Sequence, residues 1–285
     1  ATARSRPERG PLLFAQRFPF LSDLQQESSR DSLRAAVPNV EIVQSMPEWL
    51  PSKLHNTYFF LRHGQSIANV ASIISSDRST LAYTDRHGLT ETGYQQGKDA
   101  AKQLIQLLND DNSNYDNNPI IFVSSPFARA RDTAQACLDG LLEQLDNNKH
   151  QVDKDIRLHN GLMERYFGRL DGDAIDTYAY VWPLDRFNVT HTTFGVESVA
   201  AVCTRFRSLL FDLEEEFQDN NNIVLVSHAD VLQIAQLYAA RVDNAGAFSS
   251  HRFQNGQVRR LVLQSTRALP DPAPLQQPNR STRQK

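Results

Sequence analysis

Cysteine is scarce in this chain of 285 residues, which contains only Cys137 and Cys203. Both lie in segments with the spacing of amphipathic helices, where a free thiol is usually a buried side chain. Cysteine and histidine never occur together with the spacing of a metal-binding motif. The sequence therefore predicts two buried thiols and offers no Cys/His metal-binding motif.

A surplus of basic residues and a long apolar run are also missing. The chain has 30 Lys and Arg residues against 33 Asp and Glu residues, for a formal net charge of −3. This balance does not favour nucleic acid as a partner. A membrane span is not expected, because every apolar stretch is well short of the roughly 20 residues that cross a bilayer. The length suits one large α/β domain or two small ones.

Both ends of the chain lack the periodicity of regular structure. Residues 1–55 contain six prolines, and we expect an arm that lies on the main domain or stays mobile, with a short helix capped by Ser22 and with Trp49 and Leu50 as anchors. Residues 268–285 contain four prolines and few large apolar residues, which predicts a disordered tail.

The chain begins with Ala1 rather than Met. A removed organellar transit peptide and an artificial truncation fit this start equally well. We therefore expect an intracellular protein of the cytoplasm, or of a plastid or mitochondrion after N-terminal processing.

Between these ends, residues 56–267 alternate between short apolar runs and longer amphipathic stretches. The runs predict strands at 56–63, 119–125, 222–228 and 258–265, and the longer stretches predict helices at 90–110, 126–145, 198–217 and 231–242. Continuous apolar strands are typical of a sheet covered on both faces, and only the last strand alternates like an edge or antiparallel strand. The pattern predicts a three-layer α/β sandwich with a mostly parallel sheet, helices on both faces and a small lid inserted within 160–197.

Charged side chains follow the predicted strands at the point where each strand ends. Arg62 and His63 follow the first strand, Arg129 lies just beyond the second, and His228 follows the third. Ligands of open α/β sheets bind beyond the carboxyl ends of the strands, so we expect these residues at one rim. Arginines suit a dianion such as phosphate, and a histidine among them can act as a nucleophile. Glu164, in a loop punctuated by glycine, offers a proton donor for a leaving oxygen.

Six short elements resemble, in order, the signatures of the histidine phosphatase superfamily, in its phosphoglycerate-mutase-like branch. They are LRHGQS at 61–66, GLTETGYQQG at 88–97, SSPFARARDTA at 124–134, LMERYFGRLDG at 162–172, GVES at 195–198 and VLVSHAD at 224–230. The resemblance covers roughly residues 56–265. One element alone is weak evidence, but six in order are very specific.

The resemblance implies a catalytic role for three of these residues. His63 would be the nucleophile that becomes phosphohistidine, and His228 would donate a hydrogen bond to the transferring oxygens. Glu164 would act first as the general acid and then as the base that activates water. A hydrogen bond from the other ring nitrogen of His63 to the backbone would fix the tautomer that attack requires.

The resemblance also implies a phosphate pocket. Arg62 and Arg129 would clamp the phosphate, and Ser66 and Asn69 would line the pocket. It implies no metal or cofactor. The expected partner is a small phosphorylated substrate or a phosphoprotein, and a homodimer or a larger assembly is compatible with the sequence.

Three positions depart from the family pattern or compete with it. Gln65 stands where mutases usually have Glu, and Ala229 replaces the Gly that usually follows the second histidine. Asp230 is an alternative proton donor to Glu164, although its position also suits an N-cap or first-turn residue of the following helix. We favour Glu164 as the proton donor.

Further residues near these elements have two interpretations each. One set could extend a positively charged entrance for a substrate with a second acidic group, or could simply be solvated surface: Arg78, Arg86, His87, Arg131, Arg165 and Arg169. A wall over the site, or the packing of the lid, is predicted for Tyr166, Phe167, Tyr178, Tyr180 and Trp182.

The favoured function is a phosphomonoester phosphatase. Only 33 residues separate Glu164 from Ser198, and so short a cover leaves the site open to water, which favours hydrolysis over a mutase. The other alternative is a catalytically weak or inactive family member that serves as a binding or structural subunit. Ala229 and the long N-terminal arm motivate that alternative.

Overall fold

The computed structural model of the protein describes residues 45–78, 81–110, 118–145, 151–218, 220–266 and 269. The predicted helix after Ser22 and nearly all of the predicted tail lie outside the described residues.

A five-stranded sheet with the order β3-β2-β4-β1-β5 forms the middle of the molecule. The strands are β1 (Thr57–Arg62), β2 (Ile120–Ser124), β3 (Val152–Leu158), β4 (Asn222–Ser227) and β5 (Val258–Arg260). The first four pair in parallel, and β5 pairs antiparallel with β1 at the edge of the sheet. The predictions of β1, β2 and β4 are confirmed, as is the antiparallel edge position of β5. However, β5 has three residues rather than the eight predicted.

Helices cover both faces of this sheet, so the predicted three-layer α/β sandwich is confirmed. The helices are α1 (Ile67–Ala71), α2 (Glu91–Asp110), α3 (Ala128–Gln144), α4 (Trp182–Phe187), α5 (Val199–Glu216) and α6 (Ala229–Ala239). Alternate strand residues face opposite layers. Phe59 and Leu61 pack in a core with α2 and α3, whereas Tyr58 and Phe60 pack in a core with α5 and α6. Cys137 and Cys203 are free thiols buried in these two cores, as predicted.

The strand β3 has no counterpart in the predictions. Its sequence VDKDIRL carries two aspartates and a lysine, and none of its seven residues is fully buried. It lies at the edge of the sheet, beside β2. An edge strand is held by backbone hydrogen bonds on one side and needs few apolar side chains, so apolar periodicity does not reveal it.

The segment that precedes β1 packs on the α5 and α6 face. Leu50 is buried there, and the ring of Trp49 stacks on that of Tyr238 with 5.6 Å between centroids. The guanidinium group of Arg241 donates a hydrogen bond to the Leu50 carbonyl at 3.0 Å. The domain boundary at 55/56 stays a prediction.

The chain between β3 and α5 forms a cover built of α4 and short 3-10 helices, which we call the lid (160–197). A small apolar core of its own contains Phe167, Leu170, Val181 and Val196 together with Ile74. An isolated bridge between Ile73 and Ala174 joins the lid to the chain after α1.

A buried ion pair ties the two ends of the lid together. The guanidinium group of Arg165 is fully buried and forms a bidentate pair with Asp185, at 2.8 Å and 2.7 Å. Its Nε donates to the carbonyl of Glu197 at 2.7 Å, and His191 contacts the same Asp185 carboxylate at 2.7 Å. The fork and these two further contacts replace the water that both buried charges lose, so Arg165, Asp185 and Glu197 stay in fixed positions relative to one another.

We expect Asp185→Ala to lower the free energy of unfolding by about 3–5 kcal/mol, because it leaves the Arg165 charge buried without its partner. The double change Arg165→Met and Asp185→Leu should recover part of that loss, since it removes both charges. Urea denaturation of the variants measures these differences.

The matched control is Glu143→Gln, which breaks the exposed ion pair between Lys98 and Glu143 at the surface. We expect this control to change the free energy of unfolding by less than about 1 kcal/mol. An Asp185→Ala variant no less stable than the control would contradict the assigned role of the buried pair.

Candidate active site

Three parallel strands bring the site together at their carboxyl ends. His63, Ser125 and His228 each follow directly after β1, β2 and β4. Backbone N–H groups continue the ladder by one residue: His63 donates to the Ser227 carbonyl and Ser125 donates to the Val226 carbonyl, both at 2.9 Å. The two imidazole rings consequently lie 5.1 Å apart between centroids.

The glycine after His63 allows the chain to turn tightly against α2. A Cβ atom on Gly64 would lie 2.3 Å from the Gly93 carbonyl oxygen, so a larger residue does not fit. The Gly64 N–H donates to the hydroxyl of Thr133 at 2.9 Å, and that hydroxyl donates to the Arg129 carbonyl at 2.6 Å. This turn joins the loop after β1 to α3, which carries Arg129.

The imidazole of His63 is buried and held in one orientation. Its Nδ1 lies 2.7 Å from the Gly64 carbonyl, and its Nε2 accepts a hydrogen bond from Nε of Arg129 at 3.3 Å. A carbonyl accepts only from a protonated nitrogen, so the proton is on Nδ1 and Nε2 has the lone pair. Burial lowers the pKa of His63 well below its ordinary value, and the charges of Arg129 and Arg62 lower it further. The ring is therefore neutral.

Two arginines place positive charge beside this ring. Arg129 donates to the carbonyl and the hydroxyl of Ser75, at 2.8 Å and 3.2 Å, and its Nη2 lies 3.8 Å from the Glu164 carboxylate. Arg62 donates from Nη1 to the Phe253 carbonyl at 2.7 Å. Its Nε is buried without a hydrogen-bond partner among the described residues. Unpaired donors of this kind suit the oxygens of an anionic ligand.

Glu164 lies at the beginning of the lid, between the cations and His228. One carboxylate oxygen accepts the backbone N–H of Arg165 at 3.0 Å, and the other lies 3.7 Å from Nδ1 of His228. Burial raises the pKa of Glu164 from its ordinary 4.5 to about 7, and the negative charge of Asp230 adds to this against the charge of Arg129. The carboxyl group can therefore hold or release a proton near neutral pH.

His228 is fully buried at the N-terminus of α6. Its Nε2 lies 2.9 Å from the Ser125 hydroxyl, and its Nδ1 has no hydrogen-bond partner among the described residues. Burial lowers the pKa of His228 well below its ordinary value, with further lowering by Arg129 and His63. The Ser125 oxygen accepts the Phe127 N–H at 3.3 Å, which leaves its own proton free for Nε2 of His228. In the tautomer that accepts this proton at Nε2, Nδ1–H of His228 is an available donor.

Asp230 is a buried residue of the first turn of α6 and also contributes to the cavity wall. Its carboxylate accepts a hydrogen bond from the indole N–H of Trp182 at 3.2 Å and lies 3.8 Å from Arg165. Burial raises the pKa of Asp230 to about 6, against the lowering effect of Arg165. The structure thus brings both candidate proton donors, Glu164 and Asp230, to the same cavity.

Ser66 and Asn69 form a capping box at the N-terminus of α1. The Asn69 N–H donates to the Ser66 hydroxyl at 3.2 Å, and the Ser66 N–H donates to the Asn69 side-chain oxygen at 3.1 Å. Both residues also line the cavity. The Gln65 side chain accepts the hydroxyl of Thr90 at 2.9 Å and does not line the cavity, whereas Ala229 does.

A cavity of about 960 Å³ opens over His63 and extends under the lid. The six residues of the possible cationic mouth do not line it. Arg165 pairs with Asp185, Arg78 pairs with Glu197, and the other four lie elsewhere. Of the aromatic set, Tyr178 and Trp182 form part of the wall, stacked 4.7 Å apart.

Several residues that build the site were not predicted. Ser75, Ser125 and Thr133 support Arg129, His228 and the turn at Gly64, although Ser125 and Thr133 lie within a motif that was recognised. Asn255 donates to the His63 carbonyl at 3.0 Å from an irregular segment that carries no sequence signal.

The described residues contain no group of three or more His, Cys, Asp or Glu side chains arranged to hold a metal ion. Within the same residues, no helix is long and apolar enough to cross a membrane.

The model of the histidine phosphatase superfamily (branch 1) matches residues 58–269. Because this match covers more than half of the sequence, the chain belongs to that superfamily, and the resemblance of the six elements is confirmed. A comparison with curated proteins found no match.

Solved structures with a similar fold include several enzymes. A mycobacterial glucosyl-3-phosphoglycerate phosphatase complexed with VO3 is 24% identical, with a TM-score of 0.52, over 72% of this chain and 91% of that chain. A phosphoserine phosphatase from Entamoeba histolytica is 20% identical, with a TM-score of 0.52, over 72% of this chain and 89% of that chain. A protein described as mycobacterial hydrolase 2 is 20% identical, with a TM-score of 0.55, over 78% of this chain and 93% of that chain. These likenesses show the common fold.

The raised pKa of Glu164 predicts a specific pH dependence of stability. The folded protein holds this proton up to about pH 7, whereas an ordinary glutamate loses it near 4.5. Wild type should therefore lose stability relative to Glu164→Gln as the pH rises from about 4.5 to 7, by up to about 3 kcal/mol.

Urea denaturation of both proteins between pH 4.5 and 8 measures this difference. Because both contain His63 and His228, the titration of these histidines largely cancels. Glu143→Gln, which removes an exposed carboxylate, should follow the wild-type curve. Parallel curves for wild type and Glu164→Gln would show that Glu164 has an ordinary pKa.

Proposed function

We propose that the protein is a phosphomonoester phosphatase that works through a phosphohistidine intermediate on His63. The observation that carries this proposal is the state of the His63 ring. It is neutral, its Nδ1–H is bound to the Gly64 carbonyl, and its Nε2 lone pair lies near the half-buried Arg62 and the buried Arg129. A neutral imidazole nitrogen beside two guanidinium groups suits attack on a bound phosphate dianion.

In the first step, Nε2 of His63 attacks phosphorus and the bond to the ester oxygen breaks. For this attack, Arg129 Nε moves its hydrogen bond from Nε2 to a phosphate oxygen. The free donors of Arg62 and His228 also donate hydrogen bonds to phosphate oxygens. These groups offset the charge of the equatorial oxygens. The protonated carboxyl of Glu164 gives its proton to the leaving oxygen, so the products are an alcohol and phosphohistidine.

In the second step, water attacks the phosphorus of phosphohistidine. Glu164, now a carboxylate, accepts a proton from that water as the P–N bond breaks. Inorganic phosphate leaves, and Nε2 regains its lone pair. Glu164 then holds a proton again, which its pKa of about 7 permits near neutral pH.

The similar structures support a substrate of this class. Two of them are named as phosphatases of glucosyl-3-phosphoglycerate and of phosphoserine, which are small phosphomonoesters. The lid between Glu164 and Ser198 is only 33 residues long, and so short a cover favours access of water and hydrolysis over return of the phosphoryl group to an acceptor. The residues of the proposed mechanism need no metal, so we propose that the activity is metal-independent.

We expect wild type to hydrolyse an aryl phosphate and an alkyl phosphate in the presence of EDTA. His63→Ala should lose at least about 1,000-fold in kcat/KM on both, because the nucleophile is gone. Glu164→Gln should lose about 100- to 10,000-fold on the alkyl ester, whose leaving oxygen needs a proton, and less on the aryl ester. Release of inorganic phosphate measures all of these rates.

His55→Ala is the control, because His55 is exposed and does not line the cavity. Wild type without turnover on any phosphomonoester would refute the phosphatase and favour a binding or structural subunit. Transfer of the phosphoryl group to a second alcohol faster than to water would instead indicate a mutase. If Asp230→Asn rather than Glu164→Gln abolished the alkyl phosphate activity selectively, Asp230 would be the proton donor.

A further inference from the structure

Two arginines that the proposed mechanism does not use lie in the wall of the same cavity. Arg186 belongs to α4 of the lid, and Arg252 follows the 3-10 helix Ala245–Ser250. Arg186 donates to the hydroxyl of Ser250, and the Arg186 carbonyl accepts from Asn244 at 2.9 Å. These bonds hold the lid arginine against the segment that leads to Arg252.

Neither arginine has an acidic partner within the described part of the chain. The ion pairs found there include none with Arg186 or Arg252, and Arg252 contacts the ring of Trp182 at 5.9 Å instead. Glu164 and Asp230, two acids of the cavity wall, lie beside Arg129 and Arg165. A third acid, Asp176, lines the cavity without an ion pair to either arginine. The two guanidinium groups therefore line the cavity without an ion pair to a described carboxylate.

A buried hydroxyl beside these arginines lacks a partner as well. Ser249 lines the cavity, only 2% of its surface is exposed, and its Oγ has no hydrogen-bond partner among the described residues. A buried hydroxyl without a partner is costly, and a bound ligand oxygen would satisfy it. This observation does not depend on the missing ion pairs of the arginines. It concerns the same part of the wall, because Ser249 precedes Ser250, which Arg186 contacts.

The cavity is also larger than a phosphate group requires. Its volume of about 960 Å³ is that of a site for a ligand of some tens of atoms. Tyr178 and Trp182 form an apolar surface in its wall. Burial lowers the pKa of Arg62, and the charge of Arg252 lowers it further, so the phosphate clamp and Arg252 are within electrostatic reach of each other.

We propose that Arg186 and Arg252 bind a second anionic group of the substrate. The substrate class is then a phosphomonoester whose organic part spans the Tyr178 and Trp182 surface and ends in a carboxylate or a second phosphate. This inference rests on the proposed function, because it places the scissile phosphate at His63. Arginine is suited to both anions, since its planar fork binds two oxygens at once.

The test uses chemically matched phosphomonoesters with linkers of two to six carbons. Each ω-carboxyalkyl phosphate is compared with its neutral carboxamide and with the corresponding bisphosphate. We expect wild type to prefer at least one anionic compound over its amide by about 10- to 100-fold in kcat/KM. The carboxylate and bisphosphate arms show which anion is bound.

The variants Arg186→Gln and Arg252→Gln should each reduce this preference ratio by about tenfold or more. Arg252→Lys should keep part of it, because the charge remains while the fork is lost. Arg86→Gln is the control, since Arg86 is exposed and lies outside the cavity wall. This control should keep the full ratio.

A second measurement does not depend on turnover. Calorimetry gives the Kd of ω-phosphonocarboxylates and of their amides for wild type and Arg252→Gln. Wild type should bind the acids more tightly, and the variant should not distinguish them. Hydrolysis of aryl phosphate with no preference for anionic compounds at any linker length would overturn this inference, whereas the proposed phosphatase function would stand. Preferential binding of the acids without turnover would overturn the phosphatase and keep the anion subsite.

Discussion

The contact between Nδ1 of His63 and the Gly64 carbonyl is the interaction on which the chemistry of this site depends. It fixes where the single proton of a neutral imidazole resides and so determines which nitrogen presents a lone pair. The contact needs the tight turn at Gly64, and that turn needs the close approach of Gly93. The proposed nucleophile is therefore oriented by backbone geometry that the end of β1 and the start of α2 impose together.

Burial acts on the two kinds of ionisable group in opposite directions, and the site uses both effects. It keeps His63 and His228 neutral by lowering their pKa values, and it raises the pKa of Glu164 to about 7. Arg62 and Arg129 retain their charge because guanidinium is a very strong base. One cavity can thus hold a neutral imidazole, a protonated carboxyl group and fixed positive charge at the same pH.

Apolar periodicity predicted β1, β2 and β4, and their ends located His63, Arg129 and His228, because residues that follow parallel strands meet at one rim. The resemblance to a known family then added Glu164, which periodicity does not place. Contacts through backbone atoms left no trace in the sequence, as with the Phe253 carbonyl that accepts from Arg62. The cavity cations also differed from those considered, since Arg165 is occupied by Asp185 and Arg252 lies in an irregular segment.

Glu164 and Arg165 are neighbours in the chain, yet one faces the cavity and the other anchors the lid through Asp185. The proposed proton donor and an anchor of the lid are consequently adjacent residues of one short segment. A lid taken from a relative should therefore replace only residues 166–184, so that Arg165 and Asp185 are kept. A wider replacement would also remove the Glu164 carboxyl group. The lid therefore has a middle segment that can be exchanged and two anchors that must stay.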